Sequence, residues 1–224
     1  MSMVMGFDGI DDYVNDGAGA SLDITAAFTF DFWIKLTGDL AAGYHTLVSR
    51  GTPGVSGYSL TVYRLTNLFV LVFTKLGVVS HYSSYAITLF KNTHICVTYN
   101  DTTGDAKFYA DGTLIDTINS ATHTIAGGAV NTLIGGLGVN ATTSFQGYVY
   151  SVKIYNRILA LAEIQYNMAH PNNPIKHGLV LNLTQESLIG GVWKDLSGNS
   201  NDGTLVNHAG PNPSNNLAGR QVSI

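Results

Sequence analysis

Acidic side chains that could act in pairs are scarce in this sequence. Hydrolysis of a glycosidic bond requires two carboxyl groups, about 5–5.5 Å apart for retention of configuration or about 6.5–9.5 Å for inversion. The chain contains only two glutamates, Glu163 in a predicted helix and Glu186 near a predicted turn. Asp31 is the one acid on a clear strand, and no acidic residue lies two or four positions from it. The sequence therefore predicts a protein that is not an enzyme.

The residue types that bind metals favour calcium over zinc. The seven histidines show no His-x-His or His-Glu-x-x-His spacing, and the single cysteine, Cys96, is predicted to be buried in a strand. Oxygen ligands of the kind that Ca²⁺ prefers are concentrated in residues 8–12 and 195–202. If Ca²⁺ binds, Asp8 and Asp12 are the predicted side-chain ligands. The alternative, that these acids and asparagines only form Asx turns, stays open.

Aromatic side chains beside glycine- or serine-bearing loops are the candidates for sugar recognition, because such a ring offers an apolar face to a pyranose and a polar edge to water. The predicted ligand-binding residues are Tyr44, His45, Tyr58, Tyr82, Tyr85 and Trp33. Trp33 is included because it points away from the apolar residues of its own strand. An ordinary structural role is the alternative for each of them, and their types do not specify the ligand.

Apolar residues that alternate with polar ones place these candidates on strands. Residues 28–36 put every second residue, all of them apolar, on one face. Residues 68–73 are apolar throughout, which predicts a central strand covered on both faces. Further strands are predicted at 58–63, 95–99, 107–110, 132–134, 145–155 and 178–183, with one short helix near 158–168. The pattern is that of an all-β, two-sheet antiparallel sandwich.

Several motifs, in order, resemble the LamG-like (concanavalin A-like lectin/glucanase) jelly-roll family. Residues 7–14 resemble its opening strand, residues 95–100 with 108–114 its central hairpin, and residues 145–164 its closing strand and helix. The resemblance implies a jelly-roll sandwich in a superfamily that contains both lectins and glycoside hydrolases. Asn92 stands where the family often has tryptophan, and residues 148–150 lack a common acidic residue, which weakens any transfer of a metal site.

One departure concerns the order of the segments. Residues 178–181 and 195–204 resemble a stretch that usually precedes the opening strand, but here they follow the helix. About 47 residues after Gly178 are too few to bury a second sandwich core. We therefore expect a single domain over residues 1–224, in which residues 1–170 form the main sandwich, 175–206 complete it, and 207–224 form a tail.

Composition limits the functions that this chain can have. A net charge of −4 with scattered basic residues argues against nucleic-acid binding, and no segment has the length of a membrane helix. The start shows no signal peptide, and an extracellular, surface or virion-associated location is expected. The leading hypothesis is a non-catalytic module that recognises carbohydrate or protein surfaces. The alternatives are a decoration subunit of a virion or cell-surface layer, which would have assembly partners or copies of itself, and a glycoside hydrolase, which the carboxylates disfavour.

Overall fold

The computed structural model describes residues 4–38, 42–51, 57–65, 68–75, 79–119, 130–137 and 143–208. The strands are β1 (Met5–Asp8), β2 (Tyr13–Asn15), β3 (Ala27–Leu36), β4 (Gly43–Arg50), β5 (Tyr58–Leu65), β6 (Leu68–Lys75), β7 (Val79–Ala86), β8 (Asn92–Asn100), β9 (Asp105–Ala110), β10 (Thr113–Asn119), β11 (Thr132–Ile134), β12 (Gln146–Tyr155), β13 (Leu179–Thr184), β14 (Leu188–Ile189), β15 (Val192–Trp193) and β16 (Gly203–Val206). Helix α1 (Leu161–Ala169) lies between β12 and β13, and short 3-10 turns cover Ala20–Leu22 and Gln185–Ser187. Among the described helices, none is long and apolar enough to cross a membrane.

These strands form two antiparallel sheets. The seven-stranded sheet has the order β1-β12-β3-β8-β9-β10, and β13 pairs with β12 beyond the end of β1. The nine-stranded sheet has the order β14-β15-β16-β2-β11-β4-β5-β6-β7. The predicted all-β jelly-roll sandwich with a single short helix is confirmed. The apolar segment at 68–73 lies in β6, next to the edge strand β7, and the burial of its side chains lies outside the described part of the structure.

The core lies between the two sheets, and β3 shows how the sequence builds it. The alternate apolar residues of β3, Phe28, Phe30, Phe32, Ile34 and Leu36, are all fully buried in one cluster. That cluster also takes residues from the nine-stranded sheet, such as Val48, Leu60 and Val62. Alternation therefore assigns the inner face of β3 correctly, because each strand turns successive side chains to opposite faces.

The C-terminal strands take part in both sheets. Leu181 and Leu183 of β13 are buried in the main core, and β13 runs antiparallel to the second half of β12. β16 pairs with β2, and Trp193 of β15 is fully buried, its indole N–H donating to the Thr184 carbonyl at 2.7 Å. These contacts support the expectation that residues 175–206 complete the sandwich.

Helix α1 covers part of the outer face of the seven-stranded sheet. It begins at Leu161, three residues later than predicted, because Ala160 is extended and the Glu163 carboxylate accepts a hydrogen bond from its backbone N–H at 2.9 Å. Ile164 of the helix packs on Tyr155 and Cys96 in a second apolar cluster. Cys96 is buried, as predicted, and burial raises the pKa of its thiol well above the usual range.

Candidate functional site

Three tyrosines, Tyr44, Tyr63 and Tyr82, meet on the nine-stranded sheet, and we refer to them as the tyrosine cluster. The rings of Tyr44 and Tyr63 stack with centroids 4.4 Å apart and planes 27° apart. Tyr63 meets Tyr82 edge to face at 5.9 Å, and the hydroxyls of Tyr44 and Tyr82 are hydrogen-bonded to each other. The cluster thus spans β4 to β7 and carries both aromatic faces and phenol groups.

Strand register brings these tyrosines together. Tyr44 and Tyr63 are directly opposite each other in the β4–β5 pair, where cross-strand side chains lie closest. Val62, next to Tyr63, is buried in the core, so Tyr63 points to the outer face. In β7 the neighbours of Tyr82, His81 and Ser83, are buried while Tyr82 is exposed, which places it on the outer face as well.

Two members of the cluster are exposed, and Tyr63 is half-buried between them. Tyr44 retains 39% and Tyr82 45% of its accessible surface. The hydrogen bond from Tyr82, together with partial burial, raises the pKa of Tyr44 to about 12. A set of aromatic rings with hydroxyl groups at their edges can cover an apolar face of a ligand and exchange hydrogen bonds with its polar edge.

The structure brings two of the six predicted ligand-binding residues into this cluster and places the others elsewhere. Tyr58 is 1% exposed among core aromatics and donates to the Leu22 carbonyl at 3.1 Å, so it lies in the core and away from the cluster. His45 is buried too, with Nδ1 3.0 Å from the Ser144 carbonyl oxygen. Tyr85 is half-buried against the core, and Trp33 lies on the other sheet beside His94.

Tyr63 is the cluster member that the sequence interpretation missed. The sequence predicts Tyr63 only as the last residue of the strand at 58–63. Tyr63 could be identified from the sequence only if β4 and β5 were aligned so that Tyr44 lies opposite Tyr63. That alignment depends on an irregularity in β4 between Thr46 and Val48. One extra residue in a strand changes which side chains share a face.

The three acidic residues that the sequence analysis considered for hydrolysis, Asp31, Glu163 and Glu186, each contact different partners in the structure. Asp31 is fully buried beneath α1, where it contacts Lys153, His94 and Asn167. Glu186 is exposed and accepts from Asn172 at 2.7 Å. Glu163 accepts from both terminal nitrogens of Arg157, at 2.8 and 2.6 Å. These hydrogen bonds lower the pKa of Glu163 to about 2, which leaves it no proton to donate at neutral pH.

The Arg157–Glu163 pair predicts a measurable effect on stability. Because the folded pKa of Glu163 lies below its value in the unfolded chain, the stabilisation is present above pH 4.5 and is lost as the pH falls towards 2. Glu163→Gln should lower the free energy of unfolding by about 1–2 kcal/mol at pH 7 and by much less at pH 3. Urea denaturation at both values measures this. Glu186→Gln is the control, and an equal loss at both pH values would contradict the assignment.

Carboxylates accept backbone hydrogen bonds within the turn in both loops rich in oxygen ligands, and in the first loop Asp8 Oδ1 accepts from Ile10 N–H at 2.8 Å and Asp12 Oδ2 from Asp8 N–H at 3.1 Å. The Asp195 carboxylate accepts hydrogen bonds from the backbone of Asn182, Ser197 and Asn201 and from the Ser197 hydroxyl, at 2.7–3.0 Å. Its acceptor capacity is used within the turn, as the Asx-turn interpretation expects. In the first loop, single carboxylate oxygens of Asp8, Asp11 and Asp12 lie within 4.8 Å of one another. The calcium ligands predicted there, Asp8 and Asp12, stay a prediction.

A groove of about 370 Å³ lies beside the first turn of α1. Its floor is polar and includes Thr98 and Lys107, and its wall includes the apolar side chains of Ile158 and Leu161. This groove is on the seven-stranded sheet, whereas the tyrosine cluster is on the nine-stranded sheet. The two sites can therefore be tested separately.

Comparison with known proteins gives a family and a fold. A family model for the concanavalin A-like lectin/glucanases superfamily matches residues 8–165. A search of curated proteins found no match. A candidate carbohydrate-binding protein from Bacteroides ovatus is 19% identical, with a TM-score of 0.68 over 90% of this chain and 57% of that one.

Two further solved structures are similar over most of their own length. The SAP-like pentraxin of Limulus polyphemus is 15% identical, with a TM-score of 0.59 over 74% of this chain and 81% of that one. The CBM40 domain of the Ruminococcus gnavus IT-sialidase, solved with α2,3-sialyllactose, is 14% identical, with a TM-score of 0.57 over 74% and 96%. At sequence identities this low, the structural similarity shows a shared fold and nothing more specific.

Proposed function

Because the chain belongs to the concanavalin A-like lectin/glucanases superfamily, we propose that it is a non-catalytic recognition module that binds carbohydrate through its tyrosine cluster. The observation that carries this proposal is the convergence of Tyr44, Tyr63 and Tyr82 on an exposed sheet face. The similar structures from Bacteroides ovatus and Ruminococcus gnavus, described as carbohydrate-binding, support the ligand class without specifying a sugar. The proposal moves the contact from the loops that the sequence suggested to a strand face.

The cluster suits a sugar better than an apolar protein surface. Its hydroxyl groups lie at the ring edges, where a ligand with many hydroxyls can replace the water that it displaces. The Tyr44–Tyr82 hydrogen bond fixes two rings that would otherwise lose rotamer freedom on binding, and such preorganisation lowers the cost of association. A protein surface remains the alternative ligand.

Glycan binding is the first test. The purified protein should bind a subset of a glycan array that contains neutral and sialylated oligosaccharides. Tyr63→Ala removes the central ring and should weaken binding at least tenfold, which corresponds to roughly 1.4 kcal/mol. Tyr166→Ala is the matched control, because Tyr166 is an exposed tyrosine of α1 with 38% of its surface accessible. The affinity of the Tyr166→Ala variant for the same glycans should equal that of the wild type.

Two outcomes would count against this site. Binding that survives Tyr63→Ala and Tyr82→Ala but is lost in Lys107→Ala would place the ligand in the groove beside α1. No binding to any glycan, with a molar mass in light scattering that rises with concentration, would favour a decoration subunit of a virion or cell-surface layer. That assembly role, and an extracellular or surface location, stay predictions.

The non-catalytic part of the proposal has its own test. β-Glucans, galactans and sialosides should be recovered intact after long incubation with the protein. The reason is that the two glutamates are engaged apart from each other, one with Arg157 and the other with Asn172. Turnover that disappears in Glu163→Gln or Glu186→Gln would contradict this.

A further inference from the structure

The loop between β1 and β2 holds three carboxylates in a space that one cation could fill. Single oxygens of Asp8, Asp11 and Asp12 lie within 4.8 Å of one another, and two oxygens bound to one metal are separated by at most twice the metal–oxygen distance. Asp11 is exposed, whereas Asp12 is buried. Clustered acids alone also occur in turns without any metal, so the neighbourhood of these acids decides their role.

A histidine from the last described segment of the chain lies beside Asp12, one of these three acids. The side chain of His208, which follows β16, is 1% exposed, and among the residues that the structure describes neither ring nitrogen has a hydrogen bond of standard geometry. Its Nδ1 lies 3.6 Å from Asp12 Oδ2, and its ring packs edge to face on Phe7 with centroids 5.5 Å apart. The Tyr13 backbone lies close enough to favour the protonated ring, but one carbonyl can serve only one ring nitrogen, and a buried nitrogen without a partner is costly unless it binds something.

The distance between His208 Nδ1 and Asp12 Oδ2 fits two ligands of one metal ion better than it fits a hydrogen bond. At 3.6 Å the Nδ1 and Oδ2 atoms are too far apart for a hydrogen bond. In a tetrahedral zinc site, metal–ligand distances of roughly 2.0–2.2 Å place neighbouring nitrogen and oxygen ligands about 3.4 Å apart. A small adjustment of either side chain would reach that distance.

We propose that Asp8, Asp11, Asp12 and His208 bind a divalent first-row transition metal, with zinc as the expected ion. Calcium takes six to eight oxygen ligands, whereas an imidazole nitrogen is a preferred ligand of zinc and its neighbours in the first transition row. Histidine spacing along the sequence did not indicate such a site, because its members come from the two ends of the described chain.

The state of the imidazole is compatible with this role. Burial lowers the pKa of His208 to about 4, although Asp8 and the backbone of Tyr13 favour the protonated ring. The ring is therefore neutral at pH 7, and no proton has to be displaced before a nitrogen can bind a metal. The three carboxylates supply the negative charge that a divalent cation requires.

A metal at this position would join the first and last segments of the described sandwich. Asp8 ends β1, Asp12 precedes β2, and His208 follows β16, which pairs with β2. The Asn207 side chain already donates to the Asp11 carbonyl at 3.2 Å. The ion would hold the C-terminal strand on the edge of β2, so its main effect should be on stability.

Metal titration of tag-free, chelator-treated protein tests the proposal. Zn²⁺ at about a hundred times its dissociation constant should raise the melting temperature by roughly 5–10 °C. Neither Ca²⁺ nor Mg²⁺ at the same concentration should match this rise. His208→Gln and Asp11→Asn should abolish the shift, and Asp11 is exposed, so its variant should fold normally. His170→Gln, which changes an exposed histidine, is the control and should keep the full shift.

Cobalt provides a second, spectroscopic test. Co²⁺ bound at a four-coordinate site with a nitrogen ligand should give visible absorption bands that are stronger than those of six-coordinate aqueous Co²⁺ and that are lost in His208→Gln. A zinc shift of equal size in His208→Gln would show binding by other histidines and overturn the proposal. So would a calcium shift that exceeds the zinc shift and depends on Asp8 alone, or the absence of any metal effect.

Discussion

A chain that ends at His170 is expected to be insoluble or to melt without a cooperative transition. The truncation removes the fully buried side chains of Leu181, Leu183 and Trp193 and leaves the second half of one edge of β12 unpaired. Each large apolar side chain contributes roughly 1.5–3 kcal/mol on burial. Losing these three, together with the β13–β12 hydrogen bonds, costs an amount comparable to the total stability of about 5–15 kcal/mol that is common for domains.

A chain that ends at His208 is the matched control, because it keeps every strand described here. It should express as soluble protein and unfold cooperatively. Trp193→Ala, in the full-length chain, gives a graded version of the test and should cost about 3–5 kcal/mol. If the chain that ends at His170 unfolded cooperatively at an unchanged temperature, residues 175–206 would not be part of the sandwich.

Local pattern in the sequence predicts a strand such as β3, whose inner face depends on residues that are neighbours in the chain, but it did not predict β4 or β7. Phe28 to Leu36 alternate without a break, and each apolar residue of that run is buried. The expectation that residues 175–206 complete the same sandwich uses a local signal too, the resemblance of the turn at residues 195–204 to a stretch elsewhere in the family, and it stays a prediction. Both inferences use residues that lie close together in the chain, where periodicity and turn chemistry apply.

Groups brought together by register or by packing could not be predicted from the same pattern. Tyr44 meets Tyr63 through cross-strand pairing that follows a local irregularity in β4. Asp31 alternates like a solvent-facing residue, but α1 packs over it and buries it completely. His208 reaches Asp12 only because β16 pairs with β2. Each case depends on contacts between segments distant in sequence, which alternation within one strand does not contain.

The buried group around Asp31 gives the second large prediction, on the outer face of the seven-stranded sheet. Asp31 Oδ1 lies 3.3 Å from His94 Nε2 and 3.6 Å from Lys153 Nζ, and Asp31 Oδ2 accepts from Asn167 at 3.1 Å. Burial raises the pKa of Asp31, but the charges of Lys153 and His94 and the hydrogen bonds outweigh it and lower the pKa overall. The carboxylate is therefore ionised and compensates the buried Lys153 ammonium.

Asp31→Ala is expected to lower the free energy of unfolding at pH 7 by about 3–5 kcal/mol, because it leaves Lys153 buried without its counter-charge. For a chain of this length, that loss corresponds to a fall of roughly 6–20 °C in melting temperature. The Asn167 amide also loses its acceptor, while Tyr155 and the Ile175 backbone still hold it under the helix. Urea denaturation and thermal melts at pH 7 measure both quantities.

A double-mutant cycle separates the ion pair from the loss of packing. Lys153→Met keeps the length of the side chain and removes its charge, so Asp31→Leu combined with Lys153→Met should recover most of the stability lost in Asp31→Leu alone.

Acid titration gives an independent check. The folded pKa of Asp31 is lowered, so its stabilisation is present above the unfolded value of about 3.9 and disappears as the pH falls below it. The gap between wild type and Asp31→Ala should therefore narrow below pH 4. Two results together would contradict this assignment: losses of unfolding free energy that add up in the double-mutant cycle, and a difference between wild type and Asp31→Ala that does not change with pH. They would show that Asp31 only fills space beneath α1 and does not compensate the charge of Lys153.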